Sequence, residues 1–270
     1  MLTRKILLAA LVLWSRLSFH LAAAAERTIT SPSELWQGFD AEREPLEQQI
    51  ATQFDDGAGH FETLFFTGEV VDGKAVRVYA IRGTPAADGP QARERIPGIL
   101  HIHGGGQTAS LEWVKFWVRR GYACVSFDFC GHWENRDNFT DWGTLDHCNM
   151  ATAEGGLQVS PTPRRSSWYH WALVARRALT LLANDPRVDR ERIGIFGVSV
   201  GGTLCWIVAG SDPRVRAVAP IYGCGYSHDG SKRAWGFDEL TPELELWQQA
   251  VSAEAHAPYI RCPVMLLNAT

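Results

Sequence analysis

The residues best suited to chemistry lie in Arg192-Ile193-Gly194-Ile195-Phe196-Gly197-Val198-Ser199-Val200-Gly201-Gly202. A mostly apolar run leads directly into Gly-x-Ser-x-Gly, and an apolar stretch, Thr203 to Ala209, follows. The pattern predicts a strand, a sharp turn and a helix, with Ser199 at the apex. Such a turn requires a strained backbone at the serine, and small residues at Gly197 and Gly201 where strand and helix nearly touch. Ser199 then stands at a helix N-terminus, which favours developing negative charge. These are the requirements of a nucleophilic hydroxyl.

A second motif lies about 95 residues upstream, His103-Gly104-Gly105-Gly106, after the apolar run Ile96 to Ile102. Glycines let peptide N–H groups approach a substrate oxygen unobstructed. Acyl transfer through a serine needs an activated hydroxyl, donors for the tetrahedral oxyanion, and a base steadied by an acid. Ser199 offers the first. The N–H groups of Val200, Gly105 and Gly106 are the candidates for the second. A phosphate cradle is the competing use of such a loop, but Gly-x-Gly-x-x-Gly and a Walker lysine are both lacking. His101 and His103 share one face of a strand. No third metal ligand follows at a convincing spacing, so His101 is expected in the core and His103 as a support for the loop. No metal or other cofactor is assigned.

These motifs need a scaffold. Phe61 to Val71 and Ala75 to Arg82 read as strands joined by the turn Asp72-Gly73. Ile96 to His103, Tyr122 to Phe129, Ile193 to Phe196, Val215 to Tyr222 and Pro263 to Asn268 read as further strands. Ala109 to Arg120, Trp168 to Asn184 and Thr203 to Ala209 read as helices. Unalternating apolar strands separated by helices imply an α/β fold, a doubly wound and mostly parallel sheet covered on both faces. Sites in such sheets form at the carboxyl ends of strands. His103, Asp128, Ser199, Tyr222 and Asn268 occupy such positions. Residues 26–60 are polar and expected at the surface, with one or two helices between Glu34 and Phe54. Two long excursions, 130–167 and 223–260, carry Trp133, Trp142, Trp235 and Trp247. Trp133, Trp142 and Trp235 are candidate substrate-facing rings, able to stack on sugar faces. Equally, the tryptophans could form the small cores of their own insertions.

The chain resembles the α/β-hydrolase superfamily over roughly residues 61–270. The resemblance rests on the His103-Gly104-Gly105-Gly106 and Gly197-Val198-Ser199-Val200-Gly201 motifs and on their order. Asp185-Pro186-Arg187-Val188-Asp189 and Ala219-Pro220-Ile221-Tyr222-Gly223 are similar to stretches of its dienelactone-hydrolase-like and acetyl-xylan-esterase-like branch. The resemblance implies a serine ester hydrolase that needs no cofactor and cleaves an acyl ester of a carbohydrate or small molecule. It also implies an acid after a late strand and then a histidine. The sequence stops at Thr270, where the acid is expected, so both are expected beyond that residue and the domain 61–270 is read as incomplete. His228 and His256 precede the last strand and depart from the superfamily order. Asp238 and Glu239 read as solvated residues. A prolyl-oligopeptidase-like peptidase and a non-catalytic hydrolase-like binding protein are the alternatives.

The 270 residues are 46% hydrophobic and 21% charged, as one globular domain requires. Arg4 and Lys5, the apolar run Ile6 to Trp14 and Ala22 to Ala25 read as a signal peptide spanning residues 1–25. A secreted or periplasmic protein is expected. Cleavage removes three cations and no acid, shifting the formal charge from −4 to −7. That balance disfavours nucleic acid and anionic membrane as partners. The six cysteines allow 15 pairings. Cys124 and Cys205 suit buried free thiols, and some of the others could pair.

Overall fold

The structure is a computed structural model that describes residues 28–89, 93–134, 136–151, 156–223 and 240–268. Seven strands form one sheet: β1 (Gln49–Asp55), β2 (Gly59–Val71), β3 (Lys74–Pro85), β4 (Ile96–Ile102), β5 (Ala123–Phe127), β6 (Val188–Val198) and β7 (Ala217–Ile221). Their order is β1-β2-β3-β5-β4-β6-β7. The first three strands and the β3–β5 pair are antiparallel, and the pairs β5–β4, β4–β6 and β6–β7 are parallel.

The β2–β3 hairpin turns at Asp72-Gly73, where both residues have positive φ, 51° and 75°. That is the conformation an Asp-Gly hairpin turn requires. From β4 the chain crosses through α2 (Leu111–Val118) to β5 on one side. It then returns through α3 (Ser167–Ala183) to β6 on the other side of β4. This reversal makes the carboxyl end of β4 a topological switch point, where a crevice opens. The loop after β4 and the turn after β6 lie side by side because β4 and β6 are hydrogen-bonded neighbours.

Helix α3 is buried along its whole length. Its apolar side packs on the sheet: a Cβ on Gly98 of β4 would stand 3.0 Å from Leu182 Cδ2, and one on Gly68 of β2 2.7 Å from Val174 Cγ1. Its other side is covered by the N-terminal segment. There Arg177 donates to the carbonyls of Ala41, Glu44, Pro45 and Thr67, so its charge is solvated by peptide oxygen instead of water.

Residues 26–60 therefore differ from expectation. A short helix, α1 (Pro32–Leu35), is capped by Ser31, and Leu35 and Trp36 enter the core. The helices expected between Glu34 and Phe54 reduce to that one turn, and Gln49–Asp55 is an edge strand paired to β2. Every residue of β1 is exposed to some degree, so its pattern carried no period-2 signal. Pairing with a distant backbone decides its conformation.

Helix α4 (Val200–Ser211) follows the turn after β6. The second excursion contributes α5 (Pro242–Ala250) and α6 (Ala253–His256). Pro263 to Asn268 runs beside β7 as expected, with parallel bridges Val218–Val264 and Ile221–Leu267. Among the described residues, no helix is long and apolar enough to cross a membrane.

Candidate active site

Ser199 sits between β6 and α4 with φ 56° and ψ −116°. A non-glycine residue at positive φ is strained and is held there by its surroundings. Ser199 N–H donates to Ile221 O across 2.7 Å, and Ser199 O accepts from Thr203 N–H at 3.0 Å. The two flanking glycines are required by contact. A Cβ on Gly197 would stand 2.5 Å from Gly201 O, and one on Gly201 would stand 2.2 Å from Ile102 O and 2.4 Å from His103 O. Gly202 is equally confined, 2.7 Å from Ile221 O. The Ser199 side chain makes no hydrogen bond among the described residues and is part-exposed at the strand end.

The glycine loop packs directly on this turn. A Cβ on Gly105 would stand 3.0 Å from Val200 Cγ2 and 3.2 Å from Met150 Sδ. Gly104 N–H donates to Gln107 Oε1 at 2.9 Å, which commits it. The N–H groups of Gly105 and Gly106 have no acceptor among the described residues, and Val200 at the first helical position has none within its helix. Three uncommitted donors thus belong to two segments in contact. Gly106 takes φ 71°, which its lack of a side chain permits.

His103 holds the loop from beneath. Its Nε2 accepts from Phe129 N–H at 3.2 Å and its Nδ1 donates to Gly104 O at 2.7 Å. Its ring stacks on Phe129. Both nitrogens are committed, so His103 is neither a metal ligand nor a base toward Ser199. His101 Nδ1 bonds Ser126 Oγ at 2.8 Å, and its ring lies against Phe196. Burial, with His103 nearby, pushes its pKa down to about 3, which keeps it neutral.

The first excursion supplies a strap that sequence reading did not single out. Asp128, fully buried after β5, accepts from Gly131 N–H and Thr140 N–H at Oδ2. Its Oδ1 lies 3.5 Å from Arg136 Nη1. Arg136 Nη2 donates to Gly106 O at 2.6 Å. The guanidinium stands 5.4 Å from the centre of the Trp133 ring, whose Cη2 would lie 3.8 Å from a Cβ on Gly106. The position of Asp128 at a strand end was the only sequence signal for this network.

The candidate tryptophans separate. Trp133 borders the glycine loop. Trp142 is 1% exposed and fills the space behind Gly131, so it belongs to the strap's own core and does not face substrate. Trp247 is likewise fully buried, as the insertion-core alternative required. Trp235 lies outside the described residues, as do His228, Asp238 and Glu239.

His256 is buried far from Ser199. Its Nδ1 donates to Ser252 O at 2.8 Å and its Nε2 accepts from Trp36 Nε1–H at 2.9 Å. It packs at Gly210, eleven residues along α4 and so about 16 Å along the helix axis from Ser199. The described cysteines, Cys124, Cys130, Cys148, Cys205 and Cys262, are all free thiols.

A strained serine between strand and helix, beside a glycine loop at the switch point of a mostly parallel sheet, defines an α/β-hydrolase. The family profile of acetyl xylan esterase (AXE1) matches residues 62–247, and the chain belongs to that family. Among solved structures it is similar to acetyl xylan esterase 1 from Thermoanaerobacterium sp. JW/SL YS485, with a TM-score of 0.62 and 20% identity over 88% of this chain and 80% of that one. It is also similar to the acetyl xylan esterase from Paenibacillus sp. R4, with a TM-score of 0.58 and 15% identity over 85% and 84%. At such identities the likeness concerns the fold. A curated relative, hydrolase acrC of Aspergillus aculeatus, is 28% identical over 158 residues, which are 55% of this chain and 31% of that protein. The chain thus spans about a third of that relative.

Proposed function

We propose that this protein is a secreted carbohydrate esterase that removes an acyl group, acetyl foremost, through an acyl-enzyme on Ser199. The observation that carries this reading is the strained Ser199 turn in contact with Gly105. Ser199 Oγ attacks the ester carbonyl as its proton passes to a base. The carbonyl oxygen becomes an oxyanion held by the N–H groups of Val200, Gly105 and Gly106. Collapse expels the sugar hydroxyl, which takes the proton from the base. Water then cleaves the acyl-enzyme by the same route, releasing the acid and restoring Ser199.

Three of the described histidines are unavailable as that base. His101, His103 and His256 are committed elsewhere. The half-buried Trp133 ring beside the glycine loop suits a sugar face. Membership of the acetyl xylan esterase family supports an acetylated sugar as substrate. Export rests on the basic start and short apolar run of residues 1–25.

The test is Ser199→Ala in the natural full-length protein, assayed on p-nitrophenyl acetate and on acetylated xylo-oligosaccharides. Removing a nucleophile of this kind costs on the order of 10⁶ in kcat. Turnover close to wild type would exclude Ser199 as the nucleophile. Hydrolysis of p-nitrophenyl acetate without acetate release from the oligosaccharides would exclude the carbohydrate.

A further inference from the structure

The reaction proposed for Ser199 makes no use of a second cluster of chemically competent side chains, His147, Cys148 and His170. One ligand atom from each lies within 4.8 Å of the other two. His147 and Cys148 belong to the short 3₁₀ turn Asp146–Cys148 in the strap, and His170 lies in the first turn of α3. The sequence spacing hides the group, because the histidines stand 23 residues apart and no Cys-x-x-Cys marks it.

We propose that His147, Cys148 and His170 bind a zinc-class divalent cation that staples the strap to helix α3. The donor types suit such an ion, since imidazole nitrogen and thiolate sulfur are both zinc ligands and three of them leave a fourth position for water. The distances are close to right as well. In a tetrahedral zinc site with bonds of about 2.1 and 2.3 Å, neighbouring N and S ligands stand about 3.6 Å apart. His147 Nε2 and Cys148 Sγ already stand 3.6 Å apart. Closing the third side toward His170 requires a shift of about an ångström.

The surroundings are those of a held metal ligand. His170 Nδ1 bonds Glu69 Oε1 at 2.7 Å, which leaves Nε2 to bind. A carboxylate on the far nitrogen is the common way to orient a ligating histidine. Two bonds from α3 fix the backbone of the turn: Ser167 Oγ donates to His147 O at 2.8 Å, and Trp171 Nε1 donates to Cys148 O at 2.9 Å. Cys148 and His170 are buried, while His147 is half-buried and offers the entry side. Charge also balances, because the Cys148 thiolate and Glu69 together offset two positive charges.

Binding displaces the Cys148 proton to solvent and exchanges one hydrogen bond for a metal bond. In the metal-free state His147 Nε2–H donates to Arg165 O at 3.0 Å; on ligation that proton leaves Nε2, Nδ1 takes one up from solvent, and the bond to the carbonyl is given up. The Cys148 thiol is pushed well above its ordinary pKa by burial, with Glu69 adding to the effect. Without a cation it therefore stays a thiol. A bound cation reverses this, as metal ligation deprotonates thiols. The site reaches toward the glycine loop, because Met150, two residues after Cys148, packs at Gly105.

The experiment uses the tag-free full chain, stripped with a chelator and titrated with Co²⁺ and then Zn²⁺. The expected result is one equivalent of Co²⁺ with a thiolate-to-cobalt charge-transfer band in the near ultraviolet, displaced by Zn²⁺. Cys148→Ala should abolish the band. Because Cys148 and His170 are buried, the half-buried His147→Ala serves as the variant that keeps its fold, and it too should lose tight binding. Glu69→Gln should keep the site and weaken it about 10- to 100-fold. Absence of binding, binding without the thiolate band, or equal affinity in His147→Ala would overturn the proposal. None of these readouts depends on ester hydrolysis, so this site and the esterase reading stand or fall separately.

Discussion

Arg136 Nη2 donates to the carbonyl oxygen of Gly106 across 2.6 Å, joining the strap to the glycine loop. The same guanidinium lies 3.5 Å from the fully buried carboxylate of Asp128. The pinned carbonyl belongs to the Gly106–Gln107 peptide, whose N–H donates to Gly104 O at 3.1 Å, so the bond braces the turn that carries the Gly105 and Gly106 N–H groups. Arg136 is therefore a positioning residue for the Gly105 and Gly106 donors. Deleting one oxyanion donor outright costs about 10²–10³ in kcat, and loosening two should cost less.

For Arg136→Ala we expect kcat on p-nitrophenyl acetate to fall roughly 10-fold, with KM nearly unchanged. Stability should fall as well, because Asp128 is left buried without its cation. A second substitution separates the two effects. With Asp128→Asn added, the buried group is neutral and no longer needs the cation. The melting temperature should then recover while kcat does not. Recovery of both would mean that Arg136 serves only the fold.

Gly201 and Gly105 should respond differently to the same methyl group. At Gly201 it meets two backbone oxygens, at 2.2 and 2.4 Å, and neither can move without shifting β4. Gly201→Ala should cost about 3 kcal/mol or more, the upper range of overpacking, along with all activity. At Gly105 the nearest atoms are ends of the Val200 and Met150 side chains, at 3.0 and 3.2 Å, and these can yield. Gly105→Ala should melt within a few degrees of wild type. Gly105→Val should lose at least about 10² in kcat by obstructing the oxyanion. Denaturant unfolding beside ester kinetics checks both, and equal destabilisation by Gly201→Ala and Gly105→Ala would contradict the argument.

What was legible beforehand follows a physical line. The strands β2 to β7, the three major helices and the Ser199 turn announce themselves through local signals: apolar period, an Asp-Gly turn and paired glycines. Contacts far apart in the chain do not. Strand β1 is exposed throughout and is defined by its partner β2. Trp36 looked like a surface residue, yet it donates to His256, 220 positions away. Arg136 sits in an excursion without periodicity, and its role depends on where Gly106 and Asp128 happen to meet it. Trp142 and Trp133 could not be told apart by type, because burial alone separates a core ring from a half-buried one. The same limit hid the approach of His170 to His147 and Cys148.

His256 gives the fold a dependence on acid. Its ring is fully buried, bonded to Ser252 O and Trp36 Nε1, and burial pushes its pKa down to about 4. Arg176, one of the charged groups near it, adds to that depression, and the bond to Ser252 O opposes it. An imidazole depressed in this way takes up a proton more readily in the unfolded chain, where its pKa is near 6.5. The stability it supplies is complete above about pH 6.5 and is lost as pH falls toward 4. At full titration the loss is roughly 3 kcal/mol, from about 1.4 kcal/mol per pKa unit. His101 contributes with the same sign and over a wider range, since its pKa is about 3. Urea unfolding at pH 7.5 and pH 4.5 should show the wild type markedly weaker in acid. His256→Gln can still accept from Trp36 through its amide oxygen and cannot titrate, so it should start lower at pH 7.5 and lose less on acidification. An equal loss in both proteins would assign the acid sensitivity to groups other than His256.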